Sequence, residues 1–378
     1  MSQLPGTPAR RPRVALVAYD VIGHQGTGRV ITELVRRAHD RLDFVVIARN
    51  VAQDLRPLVE WKRAPAPARP YKAQLAAFYV TGGLRLATTR ADLVHVHSIG
   101  VLVPNRVDLD SVHFCRRGFM EATGVVGPGG LTGFHLALER RCRLRARMLA
   151  ALSEGSRREL ERFFPGVPVV VTPNGVDAER FAPDEATRAG LRQEEGVGDG
   201  EVVALFVANS WHQKGLGVAI EALGIAARSG RAPDRLWVVG YGSEDRYGEL
   251  AREHGVGDRV RFFGLRSDVE RFYRAADLFV LPTLYEQCCL SVYEAAAAGL
   301  PVVTTPVSGM EELIGQDEAG LIVPRDPAAV ASGLARLAAD PGLRSRLGET
   351  GRARAAATTW ERTVDGILDA YRRLGLEF

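Results

Sequence analysis

The sequence predicts an α/β protein of two domains, each a parallel sheet covered by helices on both faces. Three observations predict it. Short apolar runs alternate with amphipathic helical patterns along most of the chain, the mark of strands buried on both faces. The pattern restarts after residue 165, and 378 residues suffice for two domains of ordinary size. Glycine-bearing turns follow several apolar runs, and in such folds ligands sit beyond the carboxyl ends of strands.

The elements follow in order. Residues 1–12 carry no apolar stretch of signal-peptide type and read as a flexible tail. Arg13-VALVAYD is a strand, Gly28-RVITELVRRAHD an amphipathic helix, Phe44-VVIA a second strand and Asp92-LVHVHS a later one. The segment 64–70, APAPARP, is a proline-rich connector. Glu139-RRCRLRARMLA holds Arg140, Arg141, Arg143, Arg145 and Arg147. With Leu136, Leu144, Met148 and Leu149 it reads as a basic amphipathic helix, either on a membrane surface or solvated with its stripe in the core. In the second half Val167-PVVVTPNGVD is a strand into a turn, followed by strands at Val202-VALFVA, Leu236-WVVG, Val260-RFFG, Leu278-FVL and Pro301-VVTT. The stretch 344–376 reads as helical, with an apolar face that includes Leu347, Val364, Ile367, Leu368 and Tyr371.

Composition bounds the function. Hydrophobic residues make up 46% of the chain, enough for a substantial core. No apolar run approaches the roughly 20 residues that span a bilayer. Cys115, Cys142, Cys288 and Cys289 lack CxxC spacing, which suits reduced thiols in the cytoplasm. Residues 1–180 hold 27 Lys+Arg against 16 Asp+Glu, a net of +11, and residues 181–378 hold 22 against 29, a net of −7, which gives the overall +4. A basic first half invites an anionic partner: a membrane surface or a phosphorylated acceptor. Nucleic acid is the weaker option, because aromatic residues are not interleaved with the arginines.

The chemistry concentrates at Asp277 to Pro301, DLFVLPTLYEQCCLSVYEAAAAGLP. A strand ends at Pro282, a loop carries Glu286, and a helix from about Leu290 carries Glu294 before Gly299-Leu300-Pro301 stops it. Backbone N–H groups at Cys289, Leu290 and Ser291, where that helix begins, attract phosphate. Carboxylates accept hydrogen bonds from hydroxyls. N–H groups for phosphate beside carboxylates for hydroxyls suit a nucleotide sugar. Elsewhere, Phe206-VANSWHQKGLGVAIEAL places Lys214-Gly215 in a strand-to-helix turn, where a cation can neutralise a diphosphate leaving group.

Glu286, seven intervening residues and Glu294, followed by Ala295 and Gly299-Leu300-Pro301, resemble the E-x7-E signature of family 4 glycosyltransferases. The resemblance runs from residue 13 to about 375. It implies a GT-B fold: two Rossmann-like domains with a cleft between them and a C-terminal helix crossing back to the first. It implies boundaries at 13–165 for acceptor binding, 166–358 for the nucleotide sugar and 359–378 for the returning helix, which follows Trp360-Glu361. Glu286 is then placed at the donor sugar's hydroxyls, Glu294 at the ribose, Lys214 at the diphosphate and His113, in Ser111-VHFCRRGF, near the donor sugar and acceptor. The family commonly has an arginine five positions before the lysine; here that position is Asn209, so one expected cation is missing, with His212, Gln213 or an arginine from elsewhere as candidate substitutes. Gly26 and Gly28 between the first strand and helix, Gly240 in Val238-VGYGS, and Leu265 in the loop that reads the base through main-chain atoms complete the donor-binding set. Asn174-Gly175 is a turn at the domain junction.

The resemblance implies a retaining transfer of a hexose-type sugar from a nucleotide diphosphate sugar to an acceptor hydroxyl, with neither metal nor cofactor. Glycan, lipid-linked and small-molecule acceptors are all admitted, with envelope polysaccharide or glycolipid synthesis ahead of natural-product glycosylation. A phosphorylase or epimerase on the same scaffold, and a nucleotide-sugar-binding module without turnover, are the readings from other classes. The expected place is the cytoplasm, or peripherally the inner face of the membrane. Two metal arrangements are weighed against this: Asp108 and Asp110, which have DxD spacing, and a zinc site from His24, His95, His97 and His113, which no ligand spacing demands.

Overall fold

The computed structural model describes residues 10–22, 26–67, 71–97, 106–124, 131–315 and 317–378. It divides into two compact units, Met1–Glu121 with Val125–Pro173 and Glu361–Phe378, and Ala122–Gly124 with Asn174–Trp360. Each unit is α/β and built on a wholly parallel sheet, the class the alternating pattern predicts.

The first unit contains β1 (Arg13–Val17), β2 (Asp20–Val21), β3 (Asp43–Ala48), β4 (Asn50–Val51), β5 (Glu60–Arg63), β6 (Leu93–His97), β7 (Leu109–Ser111), β8 (Met148–Ala151) and β9 (Val169–Val171). Seven of them form one sheet in the order β5-β3-β1-β6-β7-β8-β9, and β2 and β4 pair separately. Val14 to Val17 are fully buried because β1 lies between β3 and β6, with Ala15 opposite both Val45 and Val94.

Three expectations need correction here. The basic segment Glu139–Ala150 is not one helix. A helix covers Leu131–Arg143, and Met148–Ala151 is the buried strand β8. Its residues Met-Leu-Ala-Ala contain no β-branched side chain and read as helix by propensity; pairing with β7 and β9 overrides that preference. The strand at Val169, expected to open the second half, is the edge of the first sheet. The stretch 344–376 is two helices, Pro341–Ala356 and Trp360–Arg373, not one. They separate where the Thr358 carbonyl accepts a hydrogen bond from Val176 N–H at 2.9 Å. The apolar face of the last helix is buried at Val364, Ile367, Leu368 and Tyr371.

The second unit contains β10 (Val203–Asn209), β11 (Arg235–Tyr241), β12 (Val260–Phe262), β13 (Leu278–Leu281), β14 (Val302–Thr304) and β15 (Gly320–Ile322), in the order β12-β11-β10-β13-β14-β15. β15 was not anticipated: a three-residue strand that begins with a glycine leaves little periodic signal. The core runs through Leu205, Phe206, Trp237, Val238, Phe279 and Val280, all buried. The reversal of strand order falls between β10 and β13, where a doubly wound sheet opens a crevice at its carboxyl edge.

Candidate active site

In the second unit the site is built by two segments bound to each other at that carboxyl edge. Beyond β10, Ser210 adopts a left-handed conformation, φ 58°, rare for a non-glycine residue. A short helix, Trp211–Lys214, follows. The Trp211 indole donates to the Ala208 carbonyl at 3.0 Å and lies over Gly242, where any Cβ would stand 2.2 Å from the ring. Gly215, at φ 85°, is pressed against the end of β13, and a Cβ there would come within 2.1 Å of the Pro282 oxygen. Leu284 N–H donates to the Gln213 carbonyl at 3.0 Å. These contacts bring the turn that carries Lys214 against the loop that carries Glu286.

Lys214 Nζ forms an ion pair with Glu286 Oε1, and Thr283 Oγ1 donates to the same oxygen at 2.9 Å. The side chains are 21% and 10% exposed. Burial works against the Lys214 ammonium, but the paired Glu286 carboxylate outweighs it and the pKa is raised, so the group is cationic throughout the neutral range. The helix Leu290–Ala297 starts from Cys289, which makes no side-chain cap, and Val292 N–H donates to the Cys289 carbonyl at 3.1 Å. The N–H groups of Leu290 and Ser291 precede that bond and are the orphan donors of a helix start. One turn on, Glu294 Oε2 accepts from the Tyr273 hydroxyl at 3.0 Å, an oxygen that also stands 3.2 Å from the Ser291 carbonyl. Burial holds Tyr273 protonated, with its pKa well above the usual value. Burial also pushes Cys288 up to about 12 and raises Cys289, so neither thiol is an ionised nucleophile at neutral pH.

Asn209 ends β10 and is exposed. Beside it, the position of Gly240, at φ 126°, admits only glycine, because a Cβ would meet the Ala208 oxygen at 1.9 Å, and its N–H donates to the Gly264 carbonyl at 2.8 Å. That bond sets Tyr241 next to the loop of Leu265, and both side chains are exposed, 70% and 68%. Sequence reasoning passed over Tyr241, Tyr273, Thr283 and Arg325. An aromatic between Gly240 and Gly242 was a visible signal; the other three are brought in from distant or unremarkable positions.

Gly26, Gly28 and His113 belong to the first unit. Gly26 opens the helix Gly26–Ala38, and Gly28 is buried with the Ile22 oxygen where its Cβ would stand, so its small size serves close backbone packing. His113 Nε2 lies 3.1 Å from His97 Nδ1, with stacked rings. His95 Nδ1 meets the Tyr371 hydroxyl at 2.7 Å and His95 Nε2 meets Ser111 Oγ at 2.8 Å. Burial pushes His95 down to about 3 and His113 to about 4, with His97 also far below its usual value, so all three rings are neutral. His24 lies outside the described residues. Among the described residues no group of three His, Cys, Asp or Glu could hold a metal. Asp108 and Asp110 are occupied otherwise. Fully buried, Asp108 accepts from Val94 N–H at 2.9 Å and pairs with Arg106 and Arg147, while Asp110 faces buried Arg143. Two of the five clustered arginines thus serve the fold. No helix among the described residues is long and apolar enough to cross a membrane.

Comparison with known proteins follows the same division. A family profile described as glycosyl transferases group 1 matches residues 187–354, and one described as Glycosyltransferase Family 4 matches residues 24–180. A D-inositol 3-phosphate glycosyltransferase of Geodermatophilus obscurus is 30% identical over 385 residues, 92% of this chain and 84% of that protein. One of Salinispora arenicola is 35% identical over 219 residues, 54% of this chain, and the match spans about half of that relative's length, 49%. Among solved structures, WaaG, a glycosyltransferase involved in lipopolysaccharide biosynthesis, has a TM-score of 0.80 at 22% identity, covering 94% of this chain and 98% of that one. Anabaena Alr3699/HepE in complex with UDP-glucose has a TM-score of 0.74 at 17% identity, covering 96% and 100%. At these identities the two structures establish the fold, which is GT-B.

Proposed function

The chain belongs to the family 4 glycosyltransferases, and from that premise we propose that it is a retaining, metal-independent hexosyltransferase using a nucleotide diphosphate sugar. The observation that carries the reading is the locked junction of Lys214, Gly215, Pro282 and Glu286 at the carboxyl edge of the second sheet. There Lys214 and the orphan N–H groups at Leu290 and Ser291 stabilise charge on the departing diphosphate. Glu286, held by Lys214 and Thr283, orients the sugar hydroxyls. Glu294, held by Tyr273, accepts from the ribose. Gly240, Leu265 and Asn209 line the base and phosphate side, and Cys289 begins the phosphate-facing helix. Neutral His113, with Gly26 and Gly28 at the first strand-helix turn, is the first unit's candidate contribution, by family resemblance. The acceptor oxygen bonds to the anomeric carbon on the face the diphosphate leaves, and the leaving phosphate oxygen takes the acceptor's proton. No protein nucleophile is needed.

The acceptor reading rests on charge and kinship. The basic first 180 residues favour a phosphorylated or lipid-linked acceptor, reached in the cytoplasm or at the inner membrane face. The relatives are named for D-inositol 3-phosphate, which makes a phosphorylated polyol the first acceptor to try.

A thermal-shift screen against UDP-, GDP-, ADP- and dTDP-glucose tests the donor site, since a ligand of the native state raises the melting temperature. We expect a shift with one nucleotide that shrinks in Lys214→Ala and Glu294→Ala. Product anomers read by NMR then check retention. Flat curves with every nucleotide at millimolar concentration, or an inverted product, would remove the reading.

A further inference from the structure

The ion pair between Lys214 and Glu286 leaves a charge problem. A diphosphate bears about two negative charges, yet the one lysine in the turn faces a carboxylate that cancels it. Asn209 adds a dipole and no charge. A site that stabilises a departing diphosphate needs a cation without a counter-ion.

Arg325 meets that description. β15 ends at Ile322, and Val323 N–H continues the ladder by donating to the Thr304 carbonyl at 2.8 Å. From two residues further on, the Arg325 side chain reaches past β14, and its Nε donates to the Pro282 carbonyl at 3.0 Å. That is the oxygen against which Gly215 is packed, so the guanidinium stands beside the Lys214-Gly215 turn. Among the described residues no carboxylate pairs with it. The adjacent Asp326 is committed elsewhere: it caps the helix Pro327–Ala339, accepting from Ala329 N–H at 2.9 Å. Burial of part of the side chain lowers the Arg325 pKa, and no anion offsets that cost. The group remains a cation at any neutral pH. With Nε fixed on a carbonyl, the two terminal nitrogens remain as donors, a geometry suited to phosphate oxygens.

We propose that Arg325, anchored on the Pro282 carbonyl, is the second cation of the diphosphate site, supplying from the end of β15 the charge that Asn209 does not supply from the end of β10. The proposal rests on the second unit's being the donor site. It also accounts for how Lys214 can be shared with Glu286: the lysine positions the sugar-binding carboxylate while the arginine carries the uncompensated charge.

Calorimetric titration of the full chain with UDP, GDP, ADP and dTDP, each beside its nucleoside, separates the two claims. Wild type comes first, and no binding of any diphosphate would end the donor-site reading and this inference with it. Given a preferred diphosphate, Arg325→Gln is expected to bind it at least tenfold more weakly, to bind the matching nucleoside as wild type does, and to show a shallower salt dependence. Arg325→Lys should recover part of the loss. Arg336→Gln, which removes an exposed arginine paired with Asp317, should change nothing. Diphosphate binding by Arg325→Gln within twofold of wild type would overturn the inference while leaving the donor site standing. So would an equal loss for nucleoside and diphosphate, because that reports a structural role. Unliganded melting temperatures check that each variant folds.

Discussion

At the scale of residues, the second unit spends backbone strain and glycine to bring two charged side chains together. Gly215 has two reasons to be glycine, a φ of 85° and the Pro282 oxygen where a Cβ would stand. Gly215→Ala is therefore expected to cost about 2 kcal/mol or more, from left-handed strain plus displacement of backbone, and to depress donor binding because Lys214 and Glu286 lose register. Urea unfolding checks the first effect; an unchanged midpoint would mean that the contact relaxes freely. As candidates, Glu286, Glu294 and Lys214 were legible, from strand-turn-helix context and from the resemblance of their spacing to a family signature. Their partners were not. Tyr273 reaches Glu294 from the helix Val269–Ala275, and Thr283 reaches Glu286 from within its own loop. Nothing in the identity of a tyrosine or threonine marks it as the residue that fixes a carboxylate.

At the scale of elements, β6, β7 and the final helix assemble a row of histidines, His95 and His97 buried and His113 half-buried. His95 and His97 share one face of β6 by the period of two, and Tyr371 reaches His95 from the last helix. The pH consequence follows from burial. Folded His95 titrates at about 3 and His113 at about 4, and His97 is also far below its usual value, whereas the unfolded rings ionise near 6.5. Below that pH the unfolded chain binds protons that the folded chain refuses, so stability is full above about 6.5 and falls as pH drops toward the folded values. Each ring contributes up to about 1.4 kcal/mol per pH unit in that window. Unfolding free energies of wild type and His97→Gln between pH 7 and 5.5, above the ordinary carboxylate range, are expected to diverge, with the variant less acid-sensitive. Parallel pH curves would contradict neutral burial of His97. The element that misled sequence reasoning is β8. Met148–Ala151 carries helical propensity, and its position after an arginine-rich helix extends the apparent period. Strand pairing on both sides decided otherwise.

At the scale of the whole molecule, two α/β units carry different parts of the candidate machinery: His113 in the first, and Lys214, Glu286 and Glu294 in the second. Hydrogen exchange can map this division. Whichever of UDP, GDP, ADP or dTDP binds is expected to slow exchange in 209–215, 240–242, 264–266 and 282–294 and to leave β5 and β9 unchanged. Protection concentrated in the first unit would contradict the assignment of the donor to the second.

The fold class and the family were determined by the sequence alone, because alternating apolar runs and the Glu286-to-Glu294 spacing are local patterns that survive without neighbours. Two decisions belonged to the tertiary structure. Strand membership was one: Val169–Val171 is apolar in either half, and only hydrogen bonding to β8 makes it the edge of the first sheet. Charge compensation was the other. The sequence places Lys214 and Glu286 seventy-two residues apart and Arg325 farther still. Whether a cation is free or already paired depends on distances that the chain acquires only when the ends of β10, β13 and β15 are brought to one edge of the sheet.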